Sequence, residues 1–169
     1  MLEVYVSGLA FDTLSKAPVV LLKEIDGQRV LPIWIGPNEA AVIALELSGV
    51  SSKRPLTHDL LKSVMNGFNA KLQKIVVSSL KENTYFAKFY IRANENSIIE
   101  IDARPSDSVA MALKMIAPIY ISDELEDSLI ELLPSSGNDP KDDDILKDPM
   151  DLRSRLRNIK PEDFGNYNL

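Results

Sequence analysis

The sequence predicts an α+β protein made of two similar halves, with helices packed on a mixed or antiparallel sheet. Runs rich in Val, Ile, Tyr and Phe alternate with turn residues, which indicates several short strands. Two apolar segments that open with Gly-Pro or Arg-Pro have the composition of helices. These segments, "GPNEAAVIALEL" and "RPSDSVAMALKM", align when the chain is shifted by 68 residues, and the strands before them align with the same shift. We therefore predict duplicated strand-strand-strand-helix-helix halves, which pack together because neither half buries its own apolar helix.

Three predicted strands open the first half. Residues 2–11 and 17–24 are rich in β-forming residues, and the Asp-Gly pair after the second run is typical of a hairpin turn. The third strand covers residues 28–35. Pro32 lies inside it and indicates a sheet edge or a bulge, because proline cannot donate a ladder hydrogen bond.

Two helices complete the first half. The first begins at Pro37, carries Glu39 in its first turn where negative charge suits the helix dipole, and ends at Gly49. It is apolar over most of its surface, which predicts that it is well buried. Thr57 is predicted to cap a second helix over residues 58–67.

The second half repeats this order. Residues 71–81, 84–93 and 97–103 are predicted strands, with the turn "NEN" before the last one. "RPSDSVAMALKMIA" is predicted to be the third helix, and a short strand "IYI" follows it. Ser122 is expected to cap a fourth helix over residues 123–133.

The composition separates a folded domain from a tail. Residues 1–133 contain all the predicted elements above, whereas residues 134–169 begin with "PSSGNDPKDDD", which has the composition of a linker. Within this tail, Leu152, Leu156 and Ile159 share helical spacing and predict a short amphipathic helix.

Overall composition limits the classes of function. The 169 residues include no cysteine, which excludes disulfides and thiolate metal sites and fits a reducing, cytoplasmic location. The first residues lack the basic start of a signal peptide, and no apolar run is long enough to predict a membrane span. The net charge is −6, with no basic block in the predicted domain, which argues against a module dedicated to gripping DNA through many phosphates.

The first candidate site is the pair His58-Asp59 at the predicted start of the second helix. Free N–H groups at a helix start favour an anion, and histidine can act as an acid, a base or a metal ligand. The alternative is an ordinary helix start, in which Asp59 complements the helix dipole and His58 lies on the surface. Neighbouring residues on a helix point in different directions, so the two side chains need not share a ligand.

The second candidate site is the segment "IEIDARPSD". Asp102 and Arg104 alternate at the end of a strand and are expected to project to the same side, and Asp107 follows in the first turn of a helix. This combination predicts a site for a phosphate or a carboxylate, or part of a divalent-metal site with oxygen ligands. The alternative is a structural Asp–Arg pair. Glu39 occupies the equivalent position in the first half, so Glu39, Asp59, Asp102 and Asp107 could together hold Mg²⁺ or Mn²⁺.

Three segments resemble one known family. "LPIWIGPNEAAVIALEL", "RPLTHDLL" and "IEIDARPSDSVAMAL" occur in the order found in the bifunctional nuclease family, and the resemblance covers about residues 3–133. It implies an α+β domain, nuclease activity on DNA and RNA, and a dimer. The residues that match the family motif are Glu39, His58, Asp59, Asp102, Arg104 and Asp107.

Two hypotheses from different classes follow. In the first, the protein is a nuclease in which His58, Asp59, Asp102 and Asp107 are catalytic. Glu39 would join Asp59, Asp102 and Asp107 in binding the metal, and Arg54 and Arg104 would hold the scissile phosphate, since guanidinium matches phosphate geometry. In the second, it is a non-enzymatic module that binds an anion or a protein as a homo-oligomer. Trp34 is expected in the core or at an interface rather than as a platform for a nucleobase.

Overall fold

The computed structural model describes residues 1–12, 15–50, 52–94 and 97–131. The predicted linker and the tail helix at 134–169 lie outside the described residues, as does most of the predicted "NEN" turn. The elements in chain order are β1 (Leu2–Phe11), β2 (Pro18–Glu24), β3 (Arg29–Trp34), α1 (Pro37–Ser48), α2 (Thr57–Gly67), β4 (Lys71–Lys81), β5 (Thr84–Asn94), β6 (Ser97–Ala103), α3 (Pro105–Met115), β7 (Ile119–Ile121), a 3-10 helix (Asp123–Ser128) and β8 (Ile130–Glu131).

The strands form one mixed sheet of eight strands in the order β6-β5-β4-β7-β1-β2-β3-β8. Strands β1, β2 and β3 form one antiparallel set, and β4, β5 and β6 form another. The short strand β7 joins the two sets, because it runs antiparallel to β1 and parallel to β4. The prediction of an α+β fold with a mixed sheet and packed helices is therefore confirmed.

The helices cover the sheet and bury the core between the two layers. Helix α3 packs on β4 and β5, α1 packs on β1 and β2, and the two helices contact each other, while α2 packs on α3. Buried aliphatic side chains from both halves contribute to one cluster, which includes Leu22, Leu31, Ile43, Ile75, Met111 and Ile121. Burial of each such side chain contributes about 1.5–3 kcal/mol, so the contact between the halves is a main source of stability.

Helices α1 and α3 begin in the same way. Each follows a strand directly, has proline as its first residue, and has no side chain capping its free N–H groups. The residue before α1 is Gly36, and a Cβ atom at this position would collide with the Glu39 carboxylate. Glycine at this place therefore lets Glu39 fold back over the start of its own helix.

Two details of the predicted elements are wrong. The helix expected at 123–133 is a 3-10 helix of six residues followed by β8, which pairs with Arg29 and Val30. An extended chain here supplies hydrogen bonds to the open edge of β3, which a helix would leave unpaired. Thr57 is not the cap of α2 but its first residue; Leu56 precedes the helix, and its N–H donates to the Asp59 carboxylate at 2.8 Å.

Other predictions of local structure are confirmed. Gly49 ends α1 in the left-handed conformation, with φ of 64°. Pro32 lies beyond the two residues of β3 that pair with β8, on the open side of the strand, as expected of an edge position. The second half ends with a helix, a strand and a 3-10 helix rather than two helices, and the duplication itself stays a prediction. Among the described residues, no helix is both long and apolar enough to cross a lipid bilayer.

Candidate functional site

The starts of all three helices border one cleft of about 520 Å³. The first turn of α1 and its next turn form one wall, the loop before α2 and its first residues form another, and the start of α3 closes the base of the site. The lining residues are Asn38, Glu39, Val42, Pro55, Leu56, Thr57, His58, Arg104 and Asp107. Four of the residues predicted from the sequence, Glu39, His58, Arg104 and Asp107, therefore lie in one cleft.

Arg104 links the starts of α1 and α3. Its Nη1 donates to Glu39 Oε1 at 3.0 Å, and its Nε and Nη2 donate to the two carboxylate oxygens of Asp107 at 2.8 and 3.2 Å. A guanidinium carries five N–H donors, so two donors remain after these three bonds. The Arg104 side chain is 66% exposed, which leaves those donors accessible to a ligand from solvent.

His58 approaches the same carboxylate from α2. Its Nε2 lies 3.1 Å from Asp107 Oδ1, so the Asp107 carboxylate contacts both Arg104 and His58. The other ring nitrogen, Nδ1, is buried and has no hydrogen-bond partner in the part of the chain that the structure describes. Buried polar atoms are nearly always hydrogen-bonded in proteins, so Nδ1 is an exception to that rule.

The electrostatics of this cluster keep Asp107 charged. Burial raises the pKa of the Asp107 carboxyl, but hydrogen bonds and charge from Arg104, together with His58, outweigh burial and hold the pKa below its ordinary value. The carboxylates of Glu39 and Asp107 face one guanidinium, so the cluster carries one excess negative charge when His58 is neutral.

Asp59 lies beside His58 in the sequence but points into a different cluster. It accepts a hydrogen bond from Lys114 Nζ at 2.5 Å, and Lys114 also pairs with Glu46 at 2.6 Å. The hydrogen bond from Lys114 and that from the Leu56 N–H lower the pKa of Asp59. Lys114 thus ties α1 and α2 to α3, and the structure does not bring Asp59 into the cleft. Sequence reasoning missed Lys114, which carries no motif.

Asp102 and Arg54 also lie outside the cleft lining. Asp102 pairs with Lys88 across β5 and β6, and Lys88 binds Glu100, so Asp102 lies on the sheet face opposite the helices. The expectation that Asp102 and Arg104 share one site is therefore corrected: the chain turns into α3 between them. Arg54 is exposed next to Pro55 at the cleft wall and makes no ion pair with another described residue.

The predicted four-carboxylate metal site is not assembled. Among the described residues, no group of three or more His, Asp or Glu side chains has the spacing to hold a metal ion. The nearest candidates, Glu39 and Asp107, are both bonded to Arg104, whose positive charge occupies the place where a cation would be held. The donor set as arranged does not fit Mg²⁺ or Mn²⁺.

A second pocket of about 480 Å³ lies on the other side of Arg104. It is bordered by the end of β3 and the start of α1, by the turn between β4 and β5, and by the start of α3. Trp34 lines this pocket and is 52% exposed. Of its two expected positions, the core is therefore wrong, and the interface stays a prediction. Neither the pocket nor the contribution of the β4–β5 turn was predicted, because the sequence does not reveal which turn approaches the end of β3.

A family model described as the bifunctional nuclease domain matches residues 20–130, which include every residue of the cleft cluster. The chain belongs to the bifunctional nuclease domain family. Among similar proteins, the Mycobacterium tuberculosis protein named "Uncharacterized protein Rv1829" is 37% identical over 163 residues, which cover 96% of this chain and 97% of that protein. "Bifunctional nuclease 1" of Arabidopsis thaliana is 24% identical over 108 residues, which cover 62% of this chain and 33% of that protein. "Bifunctional nuclease 1" of Oryza sativa subsp. japonica is 21% identical over 106 residues, 62% of this chain and 32% of that protein.

In this bifunctional nuclease domain, the matched region extends from β2 to β8 and contains all three helices. The relationship therefore covers both walls of the cleft. The plant relatives match along only about a third of their own length, so most of each plant protein lies outside the region that aligns with this chain.

Proposed function

We propose that this protein hydrolyses phosphodiester bonds of DNA or RNA in the cleft at the starts of its three helices. The observation that carries the proposal is the contact of one carboxylate, Asp107, with both an exposed guanidinium and a histidine. A guanidinium binds phosphate oxygens and a histidine moves protons, which are the two tasks that phosphodiester hydrolysis requires. Membership of the bifunctional nuclease domain family supports the same class of reaction.

Arg104 is assigned to the phosphate. Glu39 and Asp107 fix its guanidinium from two sides, so little conformational freedom is lost when a ligand binds. The unpaired N–H groups in the first turns of α1 and α3 add further donors to the same cleft. The excess negative charge of the cluster opposes an anion, so the guanidinium and these N–H groups have to outweigh this repulsion.

His58 is assigned to proton transfer. Nε2, which contacts Asp107 in the cleft, is the nitrogen assigned to exchange a proton with the attacking water or the leaving oxygen, because Nδ1 is buried. Asp107 is a positioning residue in this scheme, because its contact with Nε2 orients the imidazole ring. Arg54, exposed beside the cleft wall, is assigned to a neighbouring phosphate of the strand.

The test is hydrolysis of labelled single- and double-stranded DNA and RNA by the purified protein. Reactions with Mg²⁺, with Mn²⁺ and with EDTA determine whether a divalent ion is required, since no step above involves one. His58→Ala and Arg104→Ala should lose activity, whereas Arg92→Ala, which removes an exposed arginine on β5 outside the cleft, should retain it. Equal hydrolysis by all four proteins would mean that the cleft does not carry the reaction.

We also propose that the protein forms a homodimer through α2. Leu60 and Val64 on this helix and Phe68 just after it recur every four residues, and all three are exposed, Phe68 by 77%. Exposed apolar side chains at helical spacing favour a contact with another protein surface. Light scattering should give twice the mass of the monomer. The double variant Leu60→Lys, Val64→Lys should have the mass of a single chain. A monomeric unmodified protein would contradict this proposal.

A further inference from the structure

The pocket next to the cleft contains an aromatic side chain whose high exposure is not explained by packing in the core. Trp34 is at the end of β3, and about half of its surface remains exposed although it is the largest side chain in the chain. Its ring is held in place, because Nε1 donates to Asp12 Oδ2 at 2.9 Å. Tryptophan rings offer a flat apolar face on which any nucleobase can stack. A ring that is exposed and already oriented loses little freedom when it forms such a stack.

The rest of the pocket provides polar groups around that ring. Asn83 and Thr84, in the turn between β4 and β5, contribute an amide and a hydroxyl that suit the edges of a base. Tyr85 follows them, and burial raises the pKa of its hydroxyl, which therefore stays protonated. The volume of about 480 Å³ is in the range of pockets that hold small organic ligands.

Arg104 connects this pocket to the cleft. It lines both cavities, while Trp34 lines only the pocket and His58 lines only the cleft. A nucleotide strand has the same order of groups, with a phosphate between neighbouring nucleosides. A phosphate at Arg104 would therefore leave the adjoining base within reach of the pocket.

We propose that the Trp34 pocket binds one unpaired nucleobase of the substrate strand, stacked on the indole ring, while Arg104 holds the adjoining phosphate. This inference rests on the proposed nuclease function and names its substrate class as single-stranded or locally unpaired nucleic acid. A base inside a duplex has both faces covered by its neighbours and cannot stack on a protein ring. Stacking does not depend on the 2′-hydroxyl, so the pocket accepts DNA and RNA alike.

The first measurement uses the natural fluorescence of Trp34, which is the only tryptophan in the sequence. The protein is titrated in EDTA with a short oligothymidylate and, separately, with an abasic oligonucleotide of the same length. Both ligands present the same phosphates, but only the first has bases. Quenching by oligothymidylate and not by the abasic strand supports the inference. Equal responses to both strands overturn it.

The second measurement uses variants and a labelled strand. Trp34→Leu should bind oligothymidylate about tenfold or more weakly, the scale of one lost base–aromatic stack, and should bind the abasic strand as the unmodified protein does. Trp34→Phe should recover part of the loss, because it keeps an aromatic face. Tyr5→Leu removes another exposed aromatic ring that lies outside the pocket, and it should bind like the unmodified protein. Unchanged binding by Trp34→Leu overturns the inference.

These binding experiments separate this inference from the proposed function, since neither of them requires hydrolysis. Base-dependent quenching in a protein that cleaves nothing supports the pocket and refutes the nuclease. Hydrolysis that is lost in His58→Ala, without base-dependent quenching, supports the nuclease proposal and refutes the proposed base-binding pocket. A shift of the emission with protein concentration alone, insensitive to either strand, assigns Trp34 to contact with a second copy of the chain and also refutes the pocket.

Discussion

Two ion clusters lie along the contact between α1, α2 and α3, and they differ mainly in the exposure of their cation. In the first, Arg104 holds Glu39 and Asp107 and is 66% exposed; in the second, Lys114 holds Glu46 and Asp59 and is 9% exposed. Both clusters combine one cation with two carboxylates from different helices. The buried cation can only join the helices, whereas the exposed one has donors left for a ligand. Exposure, rather than residue type, separates a structural tie from a candidate site.

The largest expected effect lies in the exposed cluster. His58→Ala should lower the rate of phosphodiester hydrolysis by about 10²–10⁴-fold, the usual contribution of a general acid or base. Its free energy of unfolding should fall by only about 1–2 kcal/mol, because the side chain is largely buried but makes a single hydrogen bond, to Asp107. Steady-state kinetics and urea denaturation of the same sample check both statements. A loss of folding that parallels the loss of rate would make His58 a structural residue instead.

The second-largest effect should be a loss of stability without a loss of rate. Lys114→Met should lower the free energy of unfolding by about 2 kcal/mol, because it leaves Asp59 and Glu46 without their cation. This is less than the roughly 3–5 kcal/mol of a fully buried pair, since Asp59 is 35% exposed and solvent screens its charge. The rate per folded molecule should remain close to that of the unmodified protein. Urea denaturation measures the first quantity and single-turnover hydrolysis the second; a large drop in rate at full folding would give Asp59 a direct role.

The dependence of stability on pH should also separate the clusters. Asp59 and Asp107 both have lowered pKa values, so their contributions are present above the unfolded value of about 3.9 and are lost as the pH falls through the folded values. Burial lowers the pKa of Lys114, but Asp59 and Glu46 outweigh it and raise the pKa overall. Its contribution is therefore present below about pH 10.4 and is lost as the pH rises through the folded value.

Urea denaturation across the pH range tests this difference. Acid should weaken both clusters, whereas alkali should weaken only the Lys114 cluster, because Arg104 keeps its proton. Asp107→Asn should reduce the loss of stability in acid, and Lys114→Met should reduce the loss in alkali. Part of the loss in alkali should remain, because the pKa values of Tyr85, Lys88 and Tyr120 are also raised. An unchanged loss in alkali in Lys114→Met would contradict the assignment to Lys114.

The smallest effect is expected for a residue of the family motif outside both clusters. Asp102→Ala removes a carboxylate from the opposite sheet face, near Lys88, and should change the rate less than threefold and the free energy of unfolding by about 0.5 kcal/mol or less. Asp107→Ala is the matched comparison, since it removes the carboxylate that contacts both Arg104 and His58. Equal losses of rate in the two variants would return Asp102 to the candidate site.

Local rules predicted the elements well and their partners poorly. The proline starts of α1 and α3, the glycine end of α1 and most strands follow from residue type and period, which act over a few residues. The segment after Ser122 is different. It forms a 3-10 helix and β8 because the edge of β3 offers hydrogen bonds, and that edge lies far away in the sequence.

The candidate site shows the same division. Local sequence features predicted Glu39, His58, Arg104 and Asp107 as site residues. Two of them are acidic residues in first helical turns, one is an arginine before a proline, and one is the only histidine in the sequence. The sequence also grouped Asp59 and Asp102 with them, and it could not reveal that the two carboxylates have other neighbours. His58 and Asp59 are adjacent, yet one contacts Asp107 and the other contacts Lys114.

By itself, then, the sequence determined the fold class, the helix starts and which polar residues were available for chemistry. Only the tertiary structure decided which of them meet, where Arg104 stays exposed, and that Trp34 borders a pocket next to it. The physical reason is that backbone preferences act between near neighbours, whereas the contacts of His58 and Asp59 join residues 49 and 55 positions apart. Their choice of partner depends on how α2 packs against α3, which the burial of the shared core determines.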